Sequence, residues 1–122
     1  MGMIERRRFP RLPVNMGVDY KALDKKESDS ITMDSKNISV GGIRIILLEK
    51  TEIGSLLELK FLLPESQKLI SATGRVAWVE EFIVGDAKKA RAYEAGIEFI
   101  NISEEDRNKI GEYVRDHLIL SG

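Results

Sequence analysis

Apolar residues recur at every second position along most of this chain, the spacing of strands that turn one face into a core. Val14, Met16, Val18 and Tyr20 alternate with Asn15, Gly17, Asp19 and Lys21. The polar run from Asp24 to Ser30 reads as a hairpin connection to a second strand over Ile31 to Ser39. Gly41-Gly42 is expected to supply positive φ angles for a tight turn before Ile43, Ile45 and Leu47. Leu57, Leu59, Phe61 and Leu63 share one face of a fourth strand, and Ile70, Ala72, Val76 and Trp78 share one face of a fifth. Tyr93, Ala95, Ile97 and Phe99 do the same in a sixth, after a solvated loop over Gly85 to Arg91.

The period then changes. Ser103 is placed to cap a helix, Glu104, Glu105 and Asp106 fill its first turn, and Ile110, Val114, His117 and Leu118 recur at helical spacing. About six short strands followed by one helix predict an all-β fold with a C-terminal helix, either an antiparallel barrel or a rolled sheet. Closure removes exposed strand edges, and the amphipathic helix covers an open end. A length of 122 residues fits one domain.

Composition narrows the function classes. With 43% hydrophobic and 32% charged residues the chain fits neither a disordered nor a membrane class. The absence of cysteine excludes a disulfide framework, a thiolate metal site and a cysteine nucleophile. No apolar run approaches the roughly 18 residues of a membrane helix, so no membrane span is expected and a cytoplasmic location is. A net charge of -1 argues against the broad basic surface that nucleic-acid binding draws on, so no nucleic-acid partner is expected and any anion site must be local.

One such locality exists. Residues 1–11 hold Arg6, Arg7, Arg8 and Arg11 against Glu5 alone, and Pro10 and Pro13 keep this segment out of a regular helix. The chain therefore divides into a flexible arm over residues 1–13 and a barrel with its helix over 14–122. Guanidinium groups form planar forks that fit phosphate oxygens and the O6 and N7 edge of guanine, each bond contributing on the order of 1.5 to 3 kcal/mol. Taken alone, the cluster reads first as a solvated basic tail. A second locality is Asn37-Ile38-Ser39-Val40-Gly41-Gly42. On a strand Asn37 and Ser39 project from the same face while Ile38 and Val40 enter the core, and the glycines leave room for a ligand to approach backbone. Alone, it is a turn.

Together the two elements resemble the signature of the PilZ domain family, an Arg-x-x-x-Arg motif followed some tens of residues later by Asp/Asn-x-Ser-x-x-Gly. Arg7-Arg8-Phe9-Pro10-Arg11 matches the first, preceded by Glu5-Arg6, and Asn37, Ser39 and Gly42 match the second. Gly74-Arg75-Val76-Ala77-Trp78 and Tyr93-Glu94-Ala95-Gly96-Ile97-Glu98-Phe99 look like the family's fifth and sixth strands. The resemblance implies a six-stranded antiparallel β-barrel of split-barrel type, and a receptor that binds cyclic di-GMP on the outside of that barrel, with the arm folding over the ligand and a downstream protein receiving the signal. The outputs it suggests are motility, biofilm or exopolysaccharide control. It further implies that Arg7 and Arg11 pair with phosphates and guanine edges, that Asn37 and Ser39 bond a guanine, and that Gly41 and Gly42 form the bend. Arg6, just before the motif, is associated in similar domains with binding the ligand as a stacked pair.

The competing readings have less in the sequence. A PilZ-like interaction module that does not bind the nucleotide is expected to lack one of the two motifs. An enzyme acting on nucleotides needs a metal cluster or a placed acid and base, and one histidine without cysteine leaves that incomplete, so no catalytic activity, metal or cofactor is expected. Single-stranded RNA binding calls for aromatic platforms among basic residues. Trp78 is expected in the core, His117 and Tyr113 pack on the helix, and Arg107, Lys109, Glu112 and Arg115 form a solvated helix face.

Overall fold

The structure, a computed structural model, describes residues 11–23, 31–64, 66–84 and 90–121. Among these, seven strands precede one helix: β1 (Leu12–Pro13), β2 (Gly17–Ala22), β3 (Ile31–Ser39), β4 (Gly42–Leu47), β5 (Leu56–Leu62), β6 (Leu69–Val84), β7 (Ala90–Ile102) and α1 (Glu104–Ser121). All pairings are antiparallel, and the order β3-β2-β5-β6-β7-β4 returns to β3 through the β3–β4 pairing. The result is a closed six-stranded barrel, the one of the two architectures open to the alternation that the family resemblance implies, with no free edge along the ring.

β1 extends the ring along the same edge of β3 that β2 uses, pairing Leu12 with Ile38 and Pro13 with Asn37. Leu12 and Pro13, assigned to the arm on sequence grounds, are thus part of the sheet, and Leu12 is buried. The break between β1 and β2 is bridged by Ser35, whose hydroxyl donates to the Val14 carbonyl (2.8 Å) and accepts the Met16 N–H (3.2 Å). Buried backbone groups need such partners when the ladder is interrupted.

Inside, Val18, Ile38, Ile43, Ile45, Leu59, Phe61, Ile70 and Val76 are almost completely buried, each stabilising the fold by about 1.5 to 3 kcal/mol through lost apolar exposure. The Phe61 and Phe99 rings stack at 6.4 Å. Tyr20 joins this core, and burial pushes its phenol above the ordinary value while the Leu48 N–H reaches its oxygen (3.5 Å).

α1 begins as expected: the Ser103 hydroxyl accepts the Asp106 N–H (3.0 Å) and its carbonyl accepts the Arg107 N–H (2.9 Å). Asp106 in turn accepts the Ser71 N–H (3.3 Å), fastening the helix start to β6. A hydrogen bond from Lys68 holds the Glu105 carboxyl below the usual carboxylate range. Ile110 and Val114 complete the core, and α1 lies against β3 and β1. Val40, expected in the core, is half-buried in the turn, where a Cβ on Gly111 of α1 would touch it at 3.3 Å.

Two features depart from simple alternation. Thr73 pairs with Asn101 and Gly74 with Phe99, which leaves Ile100 as an extra residue on β7; Val76 pairs with Ile97 and Trp78 with Gly96, which leaves Ala77 as an extra residue on β6. A bulge of one residue moves everything after it to the opposite face. Trp78, expected inside with Val76, is therefore outside. β6 and β7 also run longer than the period-two pattern indicates: Ala90 and Arg91, read as loop, lie in β7, and residues 85–89 of the expected loop lie outside the described residues.

Candidate functional site

The barrel's outer surface carries a row of residues in one register across five strands: Pro13 on β1, Asn37 on β3, Arg44 on β4, Gly96 on β7 and Trp78 on β6. Ile43 and Ile45 are fully buried, so Arg44 between them faces outward, and the same logic places Asn37 outside beside buried Ile38. A bulge at Lys36, between the pairs Ser35–Ile45 and Asn37–Arg44, sets this phase.

Arg11 and Asn37 meet here. The Arg11 Nη1 donates to the Asn37 Oδ1 at 3.0 Å across 26 residues of sequence, so the last arginine of the first motif and the first residue of the second occupy one spot. β1 makes this possible, because pairing Pro13 with Asn37 brings Arg11 to the edge of β3. Arg6 and Arg7 lie outside the described residues.

Ser39 has the same side by register, opposite Gly42, but it is buried and its hydroxyl accepts the Gly41 N–H at 3.1 Å. Its oxygen closes the two-residue turn Val40-Gly41. The Gly41 carbonyl accepts the Phe99 N–H at 3.0 Å, which ties the turn to β7. Gly42 is required for a reason other than the expected one. The left-handed glycine among the described residues is Gly54 (φ 95°), whereas a Cβ on Gly42 would lie closer than 3.0 Å to the Ile97 carbonyl oxygen of β7. Close approach of two backbones, not turn geometry, demands the glycine there.

The sequence reading missed Arg44, Glu94, Gly96 and the outward position of Trp78. The Arg44 Nε donates to the Glu94 Oε2 at 2.6 Å, its Nη2 pairs with the same oxygen, and its Cζ sits 5.2 Å from the Trp78 ring centroid. Gly96 allows this stack, since a Cβ there would strike the Trp78 indole nitrogen. The alternation Ile43-Arg44-Ile45 already signals that Arg44 points outward. That it stands beside Asn37 requires the β3–β4 register, and the place of Trp78 requires the bulge.

Chemically, the row offers guanidinium donors on both sides of an amide that donates and accepts, beside an aromatic ring, on a sheet that also carries exposed Arg75–Glu98, Arg91–Glu81 and Lys21–Glu58 pairs. Such a group suits an anion carrying planar bases. Among the described residues no cluster of side chains is suited to hold a metal ion, and no helix is long and apolar enough to cross a membrane.

A family model described as PilZ domain matches residues 5–116. No curated protein matches the chain. Among solved structures, the PilZ domain with c-di-GMP of YcgR from Escherichia coli is similar at a TM-score of 0.69 and 15% identity, over 91% of this chain and 90% of that one. The Bacillus subtilis inhibitor of motility (MotI/DgrA) is similar at 0.74 and 23% identity, covering 93% of this chain and 52% of that one. The K. pneumonia MrkH–c-di-GMP complex is similar at 0.74 and 20% identity, over 95% and 53%. The chain thus spans about half the length of the latter two proteins, and at these identities the likeness is one of fold.

Proposed function

The chain belongs to the PilZ domain family, and from that premise we propose that it is a receptor for cyclic di-GMP, binding the nucleotide where Arg11 meets Asn37. That contact is the observation that carries the reading, because it joins two motifs that sequence separates. Arg7 and Arg11 pair with the phosphates and guanine edges, Asn37 reads a guanine, and Gly41 and Gly42 keep the bend close to β7. Ser39 serves chiefly through the turn. Arg6 gives the arm the charge to hold a second, stacked nucleotide.

Signalling follows from where the arm is rooted. Its arginines repel one another without ligand, and neutralising them orders residues 1–10 over the row. Because β1 and β3 also face α1, that ordering reaches the helix, the surface offered to a downstream protein. The solved relatives named for motility inhibition and, in another MrkH structure, for transcriptional regulation give the range of outputs. On this reading the protein binds and transmits without catalysis, in the cytoplasm.

Calorimetric titration with cyclic di-GMP tests this. The wild type binds, and Arg11→Ala loses about 2 to 5 kcal/mol of binding free energy, the usual effect of deleting one partner of a desolvated charged contact. Wild type that gives no heat at saturating nucleotide leaves the interaction-module reading in its place, and an Arg11→Ala variant that binds like wild type moves the site elsewhere.

A further inference from the structure

Resting on the cyclic di-GMP reading above, we propose that Arg44 is a third arginine of the anion site and that Glu94 occupies it as an internal stand-in for a ligand phosphate. Arg44 and Asn37 are cross-strand partners whose side chains leave the same face, which puts their Cβ atoms about 4.5 to 5.5 Å apart. Asn37 is thus flanked by Arg11 on one side and Arg44 on the other.

Arg44 is not facing Asn37, however. Its guanidinium lies across the gap left by Gly96, over the Trp78 ring, and meets a single oxygen of Glu94 through Nε, which donates to it, and Nη2, which forms an ion pair with it. Glu94 thus holds the Nε and Nη2 edge of the guanidinium, the edge that a phosphate takes in a bidentate pair. The pair is also more enclosed than its neighbours: the side chains of Arg44 and Glu94 are 33% and 16% exposed, against 50% and 53% for Arg75 and Glu98.

Glu80 stands directly opposite Glu94 on β6, so Arg44 neutralises one of two facing carboxylates. A nucleotide that recruits Arg44 must displace Glu94 and leave that carboxylate beside Glu80. Glu94 thereby lowers the affinity for the anion, as any competing minimum does.

A double-mutant cycle read by calorimetry with cyclic di-GMP tests this, using Glu94→Gln, Arg44→Ala and their combination. Glu98→Gln is the control, since it removes the same charge from the same outer face of β7, two residues to the other side of Gly96. Thermal unfolding of each variant checks that it is folded. Glu94→Gln tightens binding roughly 3- to 10-fold, the low range of coupling between residues in contact. The gain exceeds that of Glu98→Gln and vanishes when Arg44 is already alanine. Emission from Trp78, the single tryptophan, changes on binding in wild type and not in Arg44→Ala.

Three results overturn the proposal: a gain equal to that of Glu98→Gln, a gain that survives Arg44→Ala, or weaker binding in Glu94→Gln, which would make Glu94 a support for Arg44. If wild type binds and Arg11→Ala does not while this cycle is flat, the third arginine alone is lost. If wild type fails to bind, the receptor reading fails and this inference goes with it.

Discussion

Gly42 and Gly96 both sit where β7 meets a neighbouring strand, but they leave room for different things. At Gly42 the neighbour is the Ile97 carbonyl, part of the backbone that closes the barrel between β4 and β7. At Gly96 the neighbour is the indole of Trp78, a side chain on the outer surface whose own strand is already paired. A missing side chain thus performs two jobs in one sheet. In the first place it lets strands approach, and in the second it lets Arg44 reach an aromatic ring. The distinction separates what the fold requires from what the site requires.

The largest expected effect breaks the first of these. Gly42→Ala puts a methyl group against backbone that cannot rotate away, and overpacking of this kind costs about 3 kcal/mol. Chemical denaturation is expected to show the lower midpoint with an unchanged slope, and cyclic di-GMP affinity to fall as the β3–β4 bend shifts. A Gly42→Ala protein as stable as wild type would mean that β4 and β7 can separate at this point without penalty.

Gly96→Ala sharpens the contrast with a smaller effect. The clash is with a side chain that can turn aside, so the stability loss is about 1 kcal/mol. The double variant Gly96→Ala with Trp78→Ala should recover much of it, whereas no single side-chain truncation should rescue Gly42→Ala. Equal losses at both glycines, measured by the same denaturation, would erase the distinction.

The same contrast divides the positions that are legible in the sequence from those that are not. Ile43, Ile45 and Leu47, or Leu57, Leu59 and Phe61, are unbroken runs at period two, and for them alternation and burial coincide. Ser103 and the acids after it announce the helix start through local chemistry. The Arg11–Asn37 meeting was legible only because both belong to a recognisable signature; nothing in their spacing shows that β1 will bring them together. Trp78 was misplaced because alternation carries no mark of an extra residue, and Ala77 looks like any other alanine. Arg44 and Glu94 are 50 residues apart and belong to no motif, so their pairing exists only once β4 and β7 are in register. Positions defined by local pattern are visible in sequence, and positions defined by register are not.

Within the β3–β4 hairpin a finer version of the comparison concerns Asn37 and Ser39. Both lie on the side of the strand that bears the site, yet Asn37 meets Arg11 while buried Ser39 accepts the Gly41 N–H. Ser39→Ala removes one hydrogen bond from a turn whose backbone donor then has no partner there, a loss of about 0.5 to 1.5 kcal/mol in stability. Its effect on cyclic di-GMP affinity should be small, because the hydroxyl oxygen is already engaged and little of the residue is accessible. Asn37→Ala should do the reverse, leaving the denaturation midpoint nearly unchanged while weakening the nucleotide's binding, since Asn37 is only half-buried and faces outward. Measured together by denaturation and titration, the two variants ask whether the polar residues of one short motif divide between holding a bend and holding a ligand. If Ser39→Ala weakens binding as much as Asn37→Ala at unchanged stability, the serine is a direct ligand contact and the division drawn from its burial is wrong.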